Sequence, residues 1–166
     1  MDLSHYFSPL STQSLTKAHS TRPGWLGAHI HKHTADGPPV VASGSLVLLG
    51  LKSSPDDDTP DWIRHFLYDL KAELSQVRVV DAGDTCFNKY QDADLEALLQ
   101  AFEGRLAADA CVVTMGGGQE ATYVQYLAAV QQGFRPRRVL VDALADMAQE
   151  TAGPLQPHTF VSHILN

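Results

Sequence analysis

The chain has 166 residues, of which 44% are apolar and 19% charged, and its formal net charge is −7. This is the composition of a globular chain and excludes wholesale disorder. The acidic balance argues against sequence-independent nucleic-acid binding, which needs lysine and arginine to neutralise phosphates.

The length fits a single α/β domain, read as an irregular lead-in over residues 1–44 and an α/β body over residues 45–166. Residues 1–11 carry no basic region followed by an apolar stretch, so no signal peptide is expected there. No apolar run approaches the ~18 residues of a membrane span, and the cytoplasm is the expected compartment. The lead-in holds Pro9, Pro23, Gly24, Gly27, Gly37, Pro38 and Pro39, which predicts loops and short pieces, with Trp25, Leu26 and Ile30 as anchors to the body.

Element types then alternate. Leu46-Val47-Leu48-Leu49-Gly50-Leu51 is a continuous apolar run that suits a buried strand. After the polar loop 53–58, Thr59 reads as an N-cap, Pro60 as the first helical residue and Asp61 as a carboxylate at the positive end of the dipole. Ile63, Phe66, Leu67, Leu70 and Leu74 recur at helical spacing and predict the buried face. Val77, Val79 and Val80 predict a second strand that ends at Asp81-Ala82-Gly83-Asp84. Asp92 or Asp94 caps a helix with Leu95, Leu98, Leu99, Phe102 and Leu106 on one face.

Cys111, Val112 and Val113 predict a third strand, running into Met115-Gly116-Gly117-Gly118-Gln119-Glu120. A helix with Val124, Leu127 and Ala128 follows, ended by Gly133. Val139-Leu140-Val141-Asp142 predicts a fourth strand, and 159–165 a weaker helical stretch. The alternation predicts a three-layer αβα fold around a parallel sheet, with right-handed crossovers and ligands outside the carboxyl ends of the strands.

Two features stand out at those ends. Gly116, Gly117 and Gly118, followed by Gln119 and Glu120, open a helix. Glycines there either let the backbone approach an anion at the helix N-terminus or make a tight turn that packs helix against strand. Asp142 and Asp146 can point from a strand end into one site, where carboxylates suit Mn²⁺ or Zn²⁺, or act as a cap and a solvated side chain.

Other candidates are weaker. His29, His31 and His33 alternate, so a strand would set all three imidazoles on one side, as a Zn²⁺ or Ni²⁺ site needs; glycine and proline neighbours favour an exposed loop instead. Asp56, Asp57 and Asp58 read as a solvated run, and Arg135, Arg137 and Arg138 as a solvated loop. Two cysteines make no disulfide framework; Cys111 is expected in the core and Cys86 in a polar loop.

Taken together and in this order, the first strand, the Trp62-Ile63-Arg64 helix start, Asp81-Ala82-Gly83-Asp84, the glycine motif and the Asp142/Asp146 motif resemble the N-terminal part of the ureohydrolase superfamily of arginases, agmatinases and formimidoylglutamases. The chain is most similar to the arginase-like branch that formimidoylglutamases typify. The resemblance covers about three quarters of the chain, from residue 46 onward. It implies hydrolysis of a guanidino or formimino C–N bond by water held between two Mn²⁺ ions.

It also implies where the ligands stand. Gln119 occupies the histidine position of a Gly-Gly-x-His motif. Asp142 and Asp146 match an Asp-x-His-x-Asp motif whose central histidine is Leu144 here. A third set, an Asp-x-Asp pair, comes late in the family's chain, after the stretch that this sequence resembles. Some arginase-like proteins share the glutamine, which points to a divergent subgroup.

The expectation is therefore a degenerate, non-catalytic arginase-like domain without a cofactor of its own. Alternatives are part of an active Mn²⁺ enzyme completed by a C-terminal region, and an anion-binding module built on Gly116, Gly117 and Gly118. The resemblance implies that strands of the family's C-terminal half lie between the third and fourth strands; here either the fourth closes beside the third, giving the order 2-1-3-4, or an unpaired edge remains and invites a homo-oligomer or a covering helix.

Overall fold

A computed structural model describes residues 7–15, 22–71, 77–86, 92–107 and 109–137. The elements are α1 (Thr12–Leu15), α2 (Leu26–His29), β1 (His31–Lys32), β2 (Leu46–Lys52), α3 (Thr59–Leu67), β3 (Val79–Cys86), α4 (Asp92–Ala107), β4 (Cys111–Gly116) and α5 (Glu120–Gln131). The four strands form one sheet in the order β1-β3-β2-β4, with every pair parallel.

β2 is apolar throughout except for its terminal lysine, because both of its faces are covered. Val47, Leu49 and Leu51 pack with Leu98, Ala101 and Phe102 of α4 and with Ala121, Val124 and Ala128 of α5. Leu48 faces the other way, toward Ile30, Tyr68, Val79 and Met115, with Leu67 packed alongside. The three layers are α2 and α3, the sheet, and α4 and α5. The first three predicted strands take their expected places as β3-β2-β4. The lead-in adds β1 outside β3, where His31 is in register with Val80 and Lys32 with Asp81. It also adds Phe7 and Ile30 to the two cores.

Several local expectations are corrected. The N-cap of α3 is Asp58, not Thr59, and Pro60 lies within its first turn. Asp57 closes the preceding loop, accepting from the Ser53 and Thr59 amides at 2.9 and 3.0 Å. The Thr59 side chain, these two amides and the Ser53 hydroxyl stabilise the ionised carboxylate and hold its pKa well below the usual range. Cys111, at the start of β4, is exposed rather than buried.

The largest correction concerns the face of α3. Ile63, Phe66 and Leu70 are exposed, at 38%, 67% and 54%, while Pro60, Arg64 and Tyr68 are buried. Leu67 is partly buried, and Leu74 lies outside the described residues. Helical spacing marked apolar residues correctly as a stripe, but the sheet-facing side carries a charge whose partners lie on β3.

β3 is also longer than expected. It runs through Asp81-Ala82-Gly83-Asp84 instead of ending there. Its register against β2 slips between Leu48↔Asp81 and Gly50↔Asp84, so three steps on β3 oppose two on β2. Gly83 sits in this bulge at φ +89°. In a regular strand, residues three apart point to opposite faces. The extra residue cancels that alternation and brings Asp81 and Asp84 to the same face.

The predicted fourth strand, the 159–165 stretch, Arg138, Asp142 and Asp146 lie outside the described residues, as do the side chains of Cys86, Asp92, Asp94, Leu95, Leu106 and Glu120.

Candidate functional site

The carboxyl ends of β2, β3 and β4 meet the first turns of α3 and α5, which is where open parallel sheets bind ligands. The centre of this region is Arg64, whose side chain is fully buried. Its Nε donates to Asp81 Oδ2 at 2.8 Å and its Nη2 to Asp81 Oδ1 at 3.0 Å, a two-pronged pairing of guanidinium and carboxylate. Nη1 donates to Asp84 Oδ1 at 2.6 Å, and Nη2 also to the Gly83 carbonyl at 3.0 Å.

Asp81 is further held by the Tyr68 hydroxyl at 2.7 Å and the Gly83 amide at 3.0 Å. Burial opposes the charge on Arg64, but the Asp81 and Asp84 carboxylates more than offset it and hold the guanidinium pKa above its ordinary value. Burial likewise raises Tyr68, reinforced by Asp81, so its hydroxyl stays a donor.

Asp84 is the rim of this cluster. Its other oxygen stands 3.7 Å from Lys52 Nζ, and Lys52 in turn lies 3.8 Å from Asp61. Asp61 accepts from Ser14 Oγ at 2.5 Å and Ser11 Oγ at 3.2 Å, tying the lead-in to α3. Ser8 pairs with Asp84 through two backbone hydrogen bonds of 2.7 and 3.0 Å. Ser8, Pro9, Ser11, Lys52, Pro55 and Asp84 line an open cavity of about 270 Å³.

Burial raises the Asp84 pKa above the usual carboxylate value, against the pull of Arg64 and Lys52. A carboxyl whose folded pKa exceeds its unfolded value contributes stability in acid that is lost as pH rises through the folded pKa. This contribution is therefore expected to fall between about pH 4, the unfolded value, and the raised value. Urea midpoints across that window should lose this downward component in Asp84→Asn; an unchanged slope would show that Asp84 titrates normally.

The glycine motif makes a turn between β4 and α5. Gly116 and Gly117 have φ of +80° and +76°, in the left-handed region. A Cβ on Gly116 would meet the Leu51 carbonyl oxygen at 2.8 Å and Pro60 Cγ at 3.1 Å; one on Gly117 would meet Leu51 Cβ at 2.9 Å. The glycines thus let β4 pass close to the end of β2 and the first turn of α3. This geometry supports the packing reading of the motif. Gln119 is the N-cap of α5 in helical conformation, with no side-chain capping bond, and the Gly118 carbonyl accepts from the Ala121 amide at 3.1 Å.

The three alternating histidines are not brought to one side of a strand. His29 ends α2, His31 is exposed in β1, and His33 is buried with Nδ1 2.9 Å from the Ala82 carbonyl. Because a carbonyl only accepts, His33 donates through Nδ1. Asp56 and Asp58 are exposed, the latter accepting from Trp62 Nε1 at 3.0 Å. Arg135 and Arg137 are exposed.

No protein-family model and no curated protein sequence matches the chain. Solved structures do. A formimidoylglutamase from Bacillus subtilis matches at a TM-score of 0.66 with 18% identity, over 85% of this chain and 48% of that one. A hypothetical agmatinase from Burkholderia thailandensis matches at 0.62 with 19% identity, over 78% and 47%. The fold is that of the arginase-like ureohydrolases. The chain spans about half the length of these two structures.

A metal centre implied by this fold can be tested against the donor set. At the described strand ends, Asp81 and Asp84 are both hydrogen-bonded to Arg64, and Gln119 offers a neutral amide in place of an imidazole. No group of three or more His, Cys, Asp or Glu side chains placed to hold a metal ion occurs among the described residues. The described residues therefore do not fit a pair of Mn²⁺ ions, which need several anionic or imidazole ligands. Asp142 and Asp146 lie outside them.

Sequence reasoning placed Arg64 and Asp81–Asp84 in the arginase-like scaffold but gave them no role. The signal available was an arginine one turn after a helix-starting proline, set beside an Asp-x-Gly-Asp strand end. Gly50 was missed altogether; it is required because a Cβ there would fall 1.9 Å from Asp84 Oδ1.

Proposed function

We propose that this chain is a non-catalytic arginase-like domain in which the ligand-binding edge of the sheet serves as a structural clamp. The observation that carries this reading is the Arg64–Asp81–Asp84–Tyr68 network, which engages the carboxylates at the end of β3 in hydrogen bonds to the fold. Family chemistry needs carboxylates and imidazoles free to hold cations and polarise water. Here the nearest carboxylates hold a guanidinium, and an amide stands at the end of the glycine turn.

The reading is tested by incubating the purified chain and Mn²⁺ with guanidino and formimino compounds, including agmatine and formimidoylglutamate, and measuring urea, formamide or ammonia release. No Mn²⁺-dependent turnover is expected. Turnover abolished in Asp142→Ala overturns the proposal.

One observation favours a second reading, in which the chain is part of an active enzyme: it spans about half of the structures it matches. Copurification from its own cells with a chain that confers Mn²⁺-dependent amidine hydrolysis selects that reading.

A further inference from the structure

The cavity under the lead-in carries polar groups that the fold leaves unpaired. It lies at the carboxyl ends of β2 and β3, between Ser8, Pro9, Ser11, Lys52, Pro55 and Asp84, and its volume is about 270 Å³. That is about twenty times the space a single water needs, so one bridging solvent molecule does not account for it. Its wall is fixed in place. Two backbone hydrogen bonds tie Ser8 to Asp84, and the rings of Pro9 and Pro55 lock their own φ angles.

Lys52 is the first group left over. Its Nζ stands 3.7 Å from Asp84 Oδ2 and 3.8 Å from Asp61 Oδ2. Both distances exceed a hydrogen bond, and among the described residues no closer acceptor holds the ammonium. Asp84 is the second. The residue is 5% exposed, and Arg64 takes only its Oδ1. Oδ2 accepts no hydrogen bond among the described residues, yet it is not one of their sealed, unpaired polar atoms. The cavity is what reaches it. The exposed Ser8 hydroxyl lines the same space.

A charged ligand fits this arrangement poorly. An anion on Lys52 comes close to Asp84 and Asp61, and a cation on Asp84 comes close to Lys52, so either gains one contact and is repelled by another. A hydroxyl avoids both conflicts. It accepts from the ammonium and donates its proton to the carboxylate. One oxygen can reach two partners 3.7 Å apart at ordinary hydrogen-bond lengths. Both bonds are to ionised groups, which makes them roughly twice as strong as neutral ones.

We infer that this cavity binds a neutral polyhydroxylated small molecule, a monosaccharide or an acyclic polyol, with one hydroxyl bridging Lys52 Nζ and Asp84 Oδ2. A further hydroxyl is served by Ser8, and the C–H surface of the ligand lies against Pro9 and Pro55. The site uses neither Gln119 nor a metal ion, so it stands whether or not the chain is catalytic.

NMR titration of the full chain tests this, with glucose, galactose, ribose and mannitol as neutral probes and gluconate and glucamine as charged ones. At least one neutral probe is expected to bind with a dissociation constant of about 1 mM, the range for a ligand of about 12 non-hydrogen atoms. Its binding should shift the amides of Ser8, Lys52 and Asp84. Preference for a sugar marks a cyclic ligand and preference for mannitol an acyclic one; both support the site. Lys52→Met is expected to weaken the binding about tenfold or more, the loss of a hydrogen bond to a charged group. Because that change also alters the ion pairs beside α3, Ser8→Ala supplies a second variant at an exposed side chain, with a loss of several-fold expected. The inference is overturned by the absence of shifts with every neutral probe, by shifts centred elsewhere, or by unchanged affinity in a folded Lys52→Met or, failing that, in Ser8→Ala. Tighter binding of gluconate or glucamine than of the neutral probes also overturns it, since it would show simple charge attraction.

Discussion

Arg64→Met is expected to destabilise the fold by about 3–5 kcal/mol, the usual cost of removing one partner from a buried ion pair. The side chain volume is nearly kept, so the loss is electrostatic rather than a cavity. Asp81 would retain the Tyr68 hydroxyl and the Gly83 amide, but among the described side chains Asp84 would keep only Lys52 at 3.7 Å. Two buried carboxylates on one face of a bulge would then repel without the cation between them. Arg64→Lys should recover only part of the loss, since an ammonium cannot reach Asp81, Asp84 and the Gly83 carbonyl together. Urea unfolding at neutral pH, read by midpoint at constant slope, measures both. A loss below about 1 kcal/mol for the methionine variant, in the range of an exposed pair, would mean that solvent reaches the cluster.

Gly50→Ala is expected to cost about 3 kcal/mol or more, at or beyond the upper end of core overpacking. The added Cβ would lie 1.9 Å from Asp84 Oδ1 and 2.9 Å from both Arg64 Nη2 and Pro60 Cβ. β2 is central, and its neighbours on both sides are hydrogen-bonded, so the backbone cannot retreat easily. Asp84 is the group that moves, and moving it breaks its bond to Arg64. The two substitutions therefore act on one interaction. The double variant Gly50→Ala/Arg64→Met should be less destabilised than the sum of the singles, by more than the ~0.5 kcal/mol expected of independent sites. Strict additivity would show that the alanine is accommodated without disturbing Asp84.

The parts of the fold that were legible in the sequence are those set by local pattern. The apolar run at residues 46–51 reads as a buried strand, and the alternation of runs with helical stripes gives the parallel α/β class; the 2-1-3 order of the first strands came from the ureohydrolase resemblance. What was not legible depends on partners distant in the chain. Ile63, Phe66 and Leu70 have the spacing of a buried stripe. Arg64 nonetheless takes the inner position because Asp81 and Asp84, 17 and 20 residues later, complete its hydrogen bonds. Their sharing one face requires the bulge at Gly83, and no period of two or 3.6 announces a bulge.

The glycine motif was legible as a special backbone, but not its purpose. Positive φ at Gly116 and Gly117 serves an approach to Leu51 and Pro60 that only the folded chain creates. His29, His31 and His33 would form one set only on a strand, and their glycine and proline neighbours favoured an exposed loop instead. The helical turn of α2 breaks the alternation at His29, and the bond from His33 to Ala82 uses its ring for the fold.

The central proposal is that the chain holds no pair of metal ions, with Gln119 at the family's histidine position and the β3 carboxylates engaged by Arg64. Isothermal titration of Mn²⁺ into the metal-stripped full chain tests it most directly, with Asp142→Ala alongside. The account predicts no saturable binding at micromolar protein in either. Saturable micromolar binding of two ions per chain, lost in Asp142→Ala, would contradict it.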